Sequence, residues 1–546
     1  MKKSLSLLLA FILIATLFTA CAKPGPSGDA TPTPGGNATP GPKTEPYEIS
    51  VQVGPEPDNI DPAHNEAVDG ATLIVHAFEG LYKLDKDGIP QPGTAVSYEL
   101  SDDKLTYTFK LRDGLKWNDG SDLTAEDFVY GWKRAASTET AAPYGYMFDV
   151  VAGYPDNLEV KAIDAKTIEV KLAAPCPYFL ELTAFPTYSP IKKDVVEGNE
   201  SWATSPETYI SNGPYKLVEW THNSEMIFEK NEHYYDYESL GPDKIRFVLM
   251  EDDVAILSAF QNGEILLADS MPNDEIAAWK DKPEFNIAGQ LGTYFVCFQT
   301  QKAPFDDPRV RKALSLAIDR EYITVNIGQA GQQPAGAYVA TGLSGKDPTK
   351  EFRDEGGNYY DPTAAGYEAN VEEARRLLAE AGYPNGEGFP VFEYLYNEST
   401  GHQQIAEALQ QMWKEELGIE CTLASQEWGT FLNTRQNGDY QVARHGWLGD
   451  YNDPISFLDM WVTGGGNNDA KWSNAEYDEK IKTVKSTDDR DIRYTAMHEA
   501  EDILMEEMPV APIYYYVDIY LKSEKLQGFY SSPLGYKYFM YATLSK

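Results

Sequence analysis

The run Tyr440 to Leu448, YQVARHGWL, is rich in aromatic and apolar residues and is bounded by Asn437-Gly438 on one side and the Asp450 to Pro454 turn on the other. Such a run reads as a strand. Side chains alternate along a strand, so Arg444, Gly446, Leu448 and Asp450 are expected on one face, a cation, a bare backbone and a carboxylate in a row. Gly446 has no side chain and lets another backbone come close. Asp450 stands at the end of the run, where side chains often point into a cleft. A face of that composition suits an extended chain held by its own backbone. Asp453, ahead of Pro454 and the apolar ISFLDMW, is expected instead to cap a helix.

The rest of the chain has to supply a scaffold for that face. At 546 residues it is too long for one core, so two or three domains are expected. Strand-like EISVQV (Glu48 to Val53) is followed by a Pro-rich loop and the apolar run Leu73 to Leu84. KLTYTFKLRDGLKWNDG alternates as a hairpin, and a helix follows, capped by Thr124 with Asp127 and buried through Phe128, Val129 and Trp132. Further strands are expected at Leu158 to Ile163 and Thr167 to Leu172, and a hairpin turns at His222 to Ser224. KIRFVLM, DDVAILSAFQNGE and EILLADS then read as strand, helix and strand. Asp307-Pro308 opens a helix buried through Val310, Leu314 and Ile318, and Asn370 with Glu373 forms a second capping box. A helix with Ile405, Leu409, Met412 and Trp413 on one face ends at Gly418, and two more are expected near Ala475 to Lys485 and Ile492 to Met505. Alternating strands and helices with short links make the fold class α/β.

A formal net charge of −39 disfavours nucleic acid as a partner and an anionic membrane surface as a docking site. The aromatic load, 36 Tyr and 10 Trp, suits a recognition surface and a β-rich core equally well. No HExxH, CxxC, GxSxG or G-x-x-x-x-G-K-[ST] is present, so neither a metal nor a cofactor is expected. At the N-terminus Lys2 and Lys3 precede an apolar run, Leu5 to Phe18, with the layout of an export signal. Thr19, Ala20 and Cys21 follow it and resemble the lipobox of bacterial lipoproteins, which implies lipid on Cys21, although Phe18 departs from the usual aliphatic residue. Residues 22–46 are mostly Pro, Gly, Thr, Ala and Asn and read as a tether reaching roughly 25 to 30 Å. Cys176, Cys297 and Cys421 are left, so at most one disulfide forms within the chain.

QEWGTFLNTR followed by VARHGWLGDYNDPISFLDMW, together with FEGLY (Phe78 to Tyr82), GLKWNDGSDLTAEDFVYGWKR and GTYFVCFQTQKAPFDDPRVRKALSLAIDR, resembles bacterial oligopeptide-binding proteins. These are the family 5 extracellular solute-binding receptors of peptide-import ABC transporters. The resemblance implies a two-lobe, periplasmic-binding-protein-like fold of type II, a Venus flytrap with an extra inserted domain. Lobe I would comprise 47–82, 205–291 and 515–546, the insertion 83–204, and lobe III 292–514. Asp450 would pair with the α-amino group of a peptide. Glu66 and Val68 would lie beside the ligand's backbone, Tyr144, Trp428 and Trp447 would border the pocket, and His402 and Arg444 would meet the carboxyl end of shorter peptides. Taken as residues alone, Tyr144, Trp428 and Trp447 fit a core as well as a pocket, and Glu66 and His402 fit a surface. Cys297 replaces an acid found in relatives, which implies a less negative wall. Gly292 and Leu448 occupy the positions of a family disulfide, which therefore does not carry over. The implied partners are an oligopeptide, the permease subunits and, through lipid at Cys21, the outer face of the cytoplasmic membrane, with the protein a monomer. Two other readings remain open, the same fold binding an oligosaccharide or metal complex and a secreted acidic hydrolase.

Overall fold

The computed structural model describes residues 46–545. The export signal, Cys21 and all but the last residue of the tether lie outside the described residues. Three sheets carry the fold. The first has four strands in the order Glu48–Val51, Lys244–Val248, Glu225–Lys230, Tyr215–Thr221. Its first pair is parallel and the other two are antiparallel. The hairpin turns at residues 222–224 as expected, with Asn223 at φ 58° supplying the left-handed step. Helix Val68–Ala77 packs on this sheet.

The second sheet is four antiparallel strands ordered Ala95–Leu100, Thr106–Leu111, Thr167–Lys171, Val160–Asp164, all within the stretch expected to be inserted. Helix Ala125–Ala136 covers it, with the Thr124 and Asp127 capping box formed and Phe128, Val129 and Trp132 buried.

The third sheet has seven strands. Six are in the order Leu267–Ala268, Val510–Lys522, Phe285–Phe298, Val442–Leu448, Phe392–Asn397, Cys421–Gln426, and Gln333–Pro334 pairs beside Val510–Lys522. Phe285–Phe298 and Val510–Lys522 are its long antiparallel girders, and their register slips between Gly289 and Thr293. Helices Pro308–Leu316, Ala364–Glu380 and Thr400–Leu417 pack a separate core against this sheet through Val310, Leu314, Leu378, Leu409 and Trp413. The Asp307 cap and the Gly418 stop are both in place, the latter at φ 70°.

The second expected capping box does not form. The helix begins seven residues earlier, at Ala364, so Asn370 lies inside it and donates from Nδ2 to the Asp361 carbonyl (2.7 Å). Its first N–H, at Ala364, is taken by Glu321 Oε2 (2.6 Å), a partner 43 residues away that no local pattern shows. Cys176, Cys297 and Cys421 are free and buried, and burial pushes each thiol up to about 12.

Candidate functional site

Strand Val442–Leu448 lies inside the third sheet, yet half of one side is open. Along its whole length it pairs with residues 292–298, from Gly292 opposite Leu448 to Phe298 opposite Val442. On the other side strand Phe392–Asn397 pairs only at Val442 and Ala443. From Arg444 to Leu448 the outer main-chain edge therefore has no strand beside it, which is the condition for another chain to add on. One donor of this stretch, the Gly446 N–H, is already held by Nδ1 of His445 (2.8 Å).

The alternation holds for the strand itself, where Arg444, Gly446 and Leu448 are half-buried between fully buried neighbours. It stops short of Asp450, because the strand ends at Leu448. Asp450 is fixed by the turn instead. Its N–H donates to Ser456 Oγ (2.7 Å), and that hydroxyl lies 3.3 Å from its Oδ2. Ser456 also receives the Trp447 indole N–H on its carbonyl (2.9 Å), which ties the turn back to the strand. Asp453 has the structural role expected of it, accepting from the Ile455 N–H and from Arg493. Gly446 also has a packing reason to lack a side chain. A Cβ there would lie 2.2 Å from the Tyr516 hydroxyl, so the missing side chain makes room for that phenol. Gly292 likewise leaves room for Leu448, where the family's disulfide would stand.

A cavity of about 390 Å³ opens beside this edge, and all ten predicted site residues line it: Glu66, Val68, Tyr144, His402, Trp428, Arg444, Gly446, Trp447, Leu448 and Asp450. Glu66 and Val68 come from the start of helix Val68–Ala77, Tyr144 from the end of a loop, His402 from the first turn of Thr400–Leu417, and Trp428 from the first residue of helix Trp428–Gln436. Five elements distant in sequence thus meet at one hollow.

Asp450 and Arg444, the two ionisable groups that bracket the open edge, meet no opposite charge among the described residues. Asp450 is 7% exposed, and burial lifts its carboxyl well above the usual range, with Tyr144 and Ser456 only partly offsetting that effect. Arg444 donates to Asn397 Oδ1 (3.3 Å) and the Tyr516 hydroxyl (3.1 Å) and lies 5.1 Å from the centre of the Tyr294 ring. His402 offers it no balance, since burial and Arg444 itself hold that imidazole neutral, well below its ordinary pKa.

Further in, burial pushes Glu66 up to about 7, helped by Asp469 and opposed by Arg435. Burial acts on Asp469 too, but Arg435 and His445 outweigh it and hold that carboxylate at about 2. Arg435 Nε donates to it at 2.5 Å. Sequence reasoning missed Tyr516, Asn397, Arg435 and Asp469, all of which line the cavity. Tyr516 stands in an alternating YYY run that shows a strand but not its neighbour. The less negative wall implied by Cys297 is not found, because Cys297 is fully buried behind Tyr440 and lines nothing. Glu66, Asp69, Glu251, Asp253, Asp269, Glu398, Asp450 and Asp469 line the cavity, against the cations Arg435 and Arg444. Among the described residues no group of three or more His, Cys, Asp or Glu is placed to hold a metal ion.

Residues 90–469 match the profile of bacterial extracellular solute-binding proteins, family 5, middle region. The chain is 34% identical to the oligopeptide-binding protein OppA of Bacillus subtilis, over 99% of each chain. Its structure superposes on Haemophilus influenzae OppA in complex with the peptide RPPGFSPFR at a TM-score of 0.86, with 31% identity over 92% of this chain and all of that one. Against the Escherichia coli murein tripeptide-binding protein MppA the score is 0.85, with 32% identity over 92% of this chain and 99% of that one. Against the unliganded open form of MppA it falls to 0.62, over 92% and 98%. The fold is therefore the two-lobe, type II periplasmic-binding-protein fold, in an arrangement other than the open one. The chain belongs to the bacterial extracellular solute-binding proteins of family 5.

Proposed function

We propose that this protein is an extracytoplasmic receptor that binds oligopeptides in the cavity beside Arg444 to Leu448 and hands them, chemically unchanged, to an ABC importer. The observation that carries the reading is the unpaired strand edge flanked by one uncompensated carboxylate and one uncompensated guanidinium, a layout that matches the backbone and the two charged ends of a peptide. The names of relatives that bind oligopeptides support it. In this reading Asp450 takes the α-ammonium, Arg444 with His402 meets the carboxylate of short peptides, and Glu66 and Val68 flank the ligand backbone from the opposite lobe. Tyr144, Trp428 and Trp447 wall the side-chain space, and water fills what a given side chain leaves, so sequence selectivity is low. The lobes and insertion divide the chain at the boundaries given above, and the lobes close by a hinge motion that the peptide biases. Lipid on Cys21 and the tether of residues 22–46 hold the monomer at the outer face of the membrane.

A thermal-shift screen of short free-amine peptides against oligosaccharides tests the substrate class. Peptides should raise the melting temperature through binding to the folded state. Shifts with an oligosaccharide and with no peptide would overturn the proposal.

A further inference from the structure

Helix Thr400–Leu417 begins at the cavity, yet its own N-cap residue, Ser399, makes no side-chain capping bond. The first N–H groups of a helix have no partner within it and need an acceptor. The acceptor is Asp253, from a helix 147 positions earlier. Its Oδ2 receives the Thr400 N–H (3.2 Å), the Thr400 hydroxyl (2.7 Å) and, more distantly, the Ser399 hydroxyl (3.4 Å). Ser270 donates to its other oxygen and so aims the carboxylate. Asp253 is 4% exposed. A second bond runs alongside, from Gln404 Nε2 to Asp274 Oδ1 (3.1 Å).

The two helices belong to different cores. Asp253–Gln261 buries Ile256 and Leu257 with Trp279 and Leu521, while Thr400–Leu417 buries Leu409 and Trp413 with Leu314 and Phe392. The carboxylate therefore joins two separately packed bodies by a charge at a helix N-terminus, where a negative group is favoured. Were those bodies to part, it would face water and the helix would lose its cap.

We infer that Asp253 is a positioning residue that latches the cleft shut. By holding the start of Thr400–Leu417 it fixes Ser399 and His402 against the cavity, and it stabilises the arrangement seen here over the open one. The inference rests on the proposed closing of the lobes about a ligand and adds the residue that sets its balance.

The test uses the whole folded chain, trialanine as probe, stopped-flow release and small-angle scattering of the ligand-free protein. Asp253→Ala is expected to speed trialanine release about tenfold, or to enlarge the ligand-free radius of gyration, and, because it removes a buried helix cap, to lower the ligand-free melting temperature by a few degrees. Either shift supports the latch when Asp307→Ala, which removes the cap of helix Pro308–Leu316, lowers the melting temperature similarly but leaves release and radius as they were. Thr400→Val should act in the same direction and add little on top of Asp253→Ala, as expected for partners in one contact. Asp253→Glu should recover part of the loss. Unchanged release with an unchanged radius overturns the proposal, as does an equal change in release or radius in Asp307→Ala, the mark of a general loss of stability. If the parent protein does not bind trialanine, the peptide reading fails, and scattering with the melting temperature decides the latch by itself.

Discussion

Asp450 and Arg444 bracket the open edge of strand Val442–Leu448, and neither meets an opposite charge among the described residues. A charge withdrawn from water without a partner is costly, so each end of this edge gains from a ligand that brings the complementary group.

Replacing one end should show this gain directly. Asp450→Asn keeps the shape and the Ser456 contact, so folding should be intact. Affinity for a short free-amine peptide, read by calorimetry, should fall by about 2 kcal/mol or more. An unchanged affinity would remove Asp450 from the site.

The other end has its own signature. Amidating the carboxyl terminus of a tripeptide should weaken binding by about 1 to 2 kcal/mol, the scale of a hydrogen bond to a charged group. In Arg444→Gln the acid and its amide should bind nearly alike. Equal affinities in the parent protein would show that Arg444 faces a side chain or solvent.

Acidity acts in opposite directions on binding and stability. Only ionised Asp450 can pair with an ammonium, and burial raises its pKa well above the ordinary value, so peptide affinity should rise as pH climbs through that raised pKa. The ligand-free fold should do the reverse. Burial raises Glu66, Glu251 and Asp269 to about 7. The folded state thus holds protons that the unfolded chain has released near pH 4, and the stability this gives is full below that pH and lost as pH rises through 7. Glu66→Gln should flatten the fall in ligand-free melting temperature between pH 5 and 8, and an unaltered slope would contradict the assignment.

Gly446 tests packing apart from charge. Gly446→Ala sets a Cβ where the Tyr516 hydroxyl now lies, displacing the group that Arg444 bonds. Urea unfolding should show a loss of about 1 to 3 kcal/mol from overpacking. Adding Tyr516→Phe, which removes the clashing oxygen, should recover part of it.

What the sequence showed was whatever is local. The Thr124 and Asp307 caps, the 222–224 turn and the alternation through Arg444, Gly446 and Leu448 all follow from residues a few positions apart, and they formed as expected. What local patterns did not show depended on the rest of the fold. Asn370 lost its cap role because Glu321 starts the helix from elsewhere, and the strand stops at Leu448, two residues short of Asp450. Gly446 accommodates Tyr516, seventy residues on. The ten proposed site residues that line the cavity were named through likeness to a family, whereas Arg435, Asp469 and Tyr516 needed the fold to bring them there.

The clasp between Asp450 and a peptide's ammonium is measured most directly by titrating trialanine and N-acetyl-trialanine into the parent protein and into Asp450→Asn. The account predicts that acetylation costs the parent at least about tenfold in affinity and costs the variant almost nothing, since the group that reads the charge is gone. The same loss in both proteins, or in neither, would contradict it.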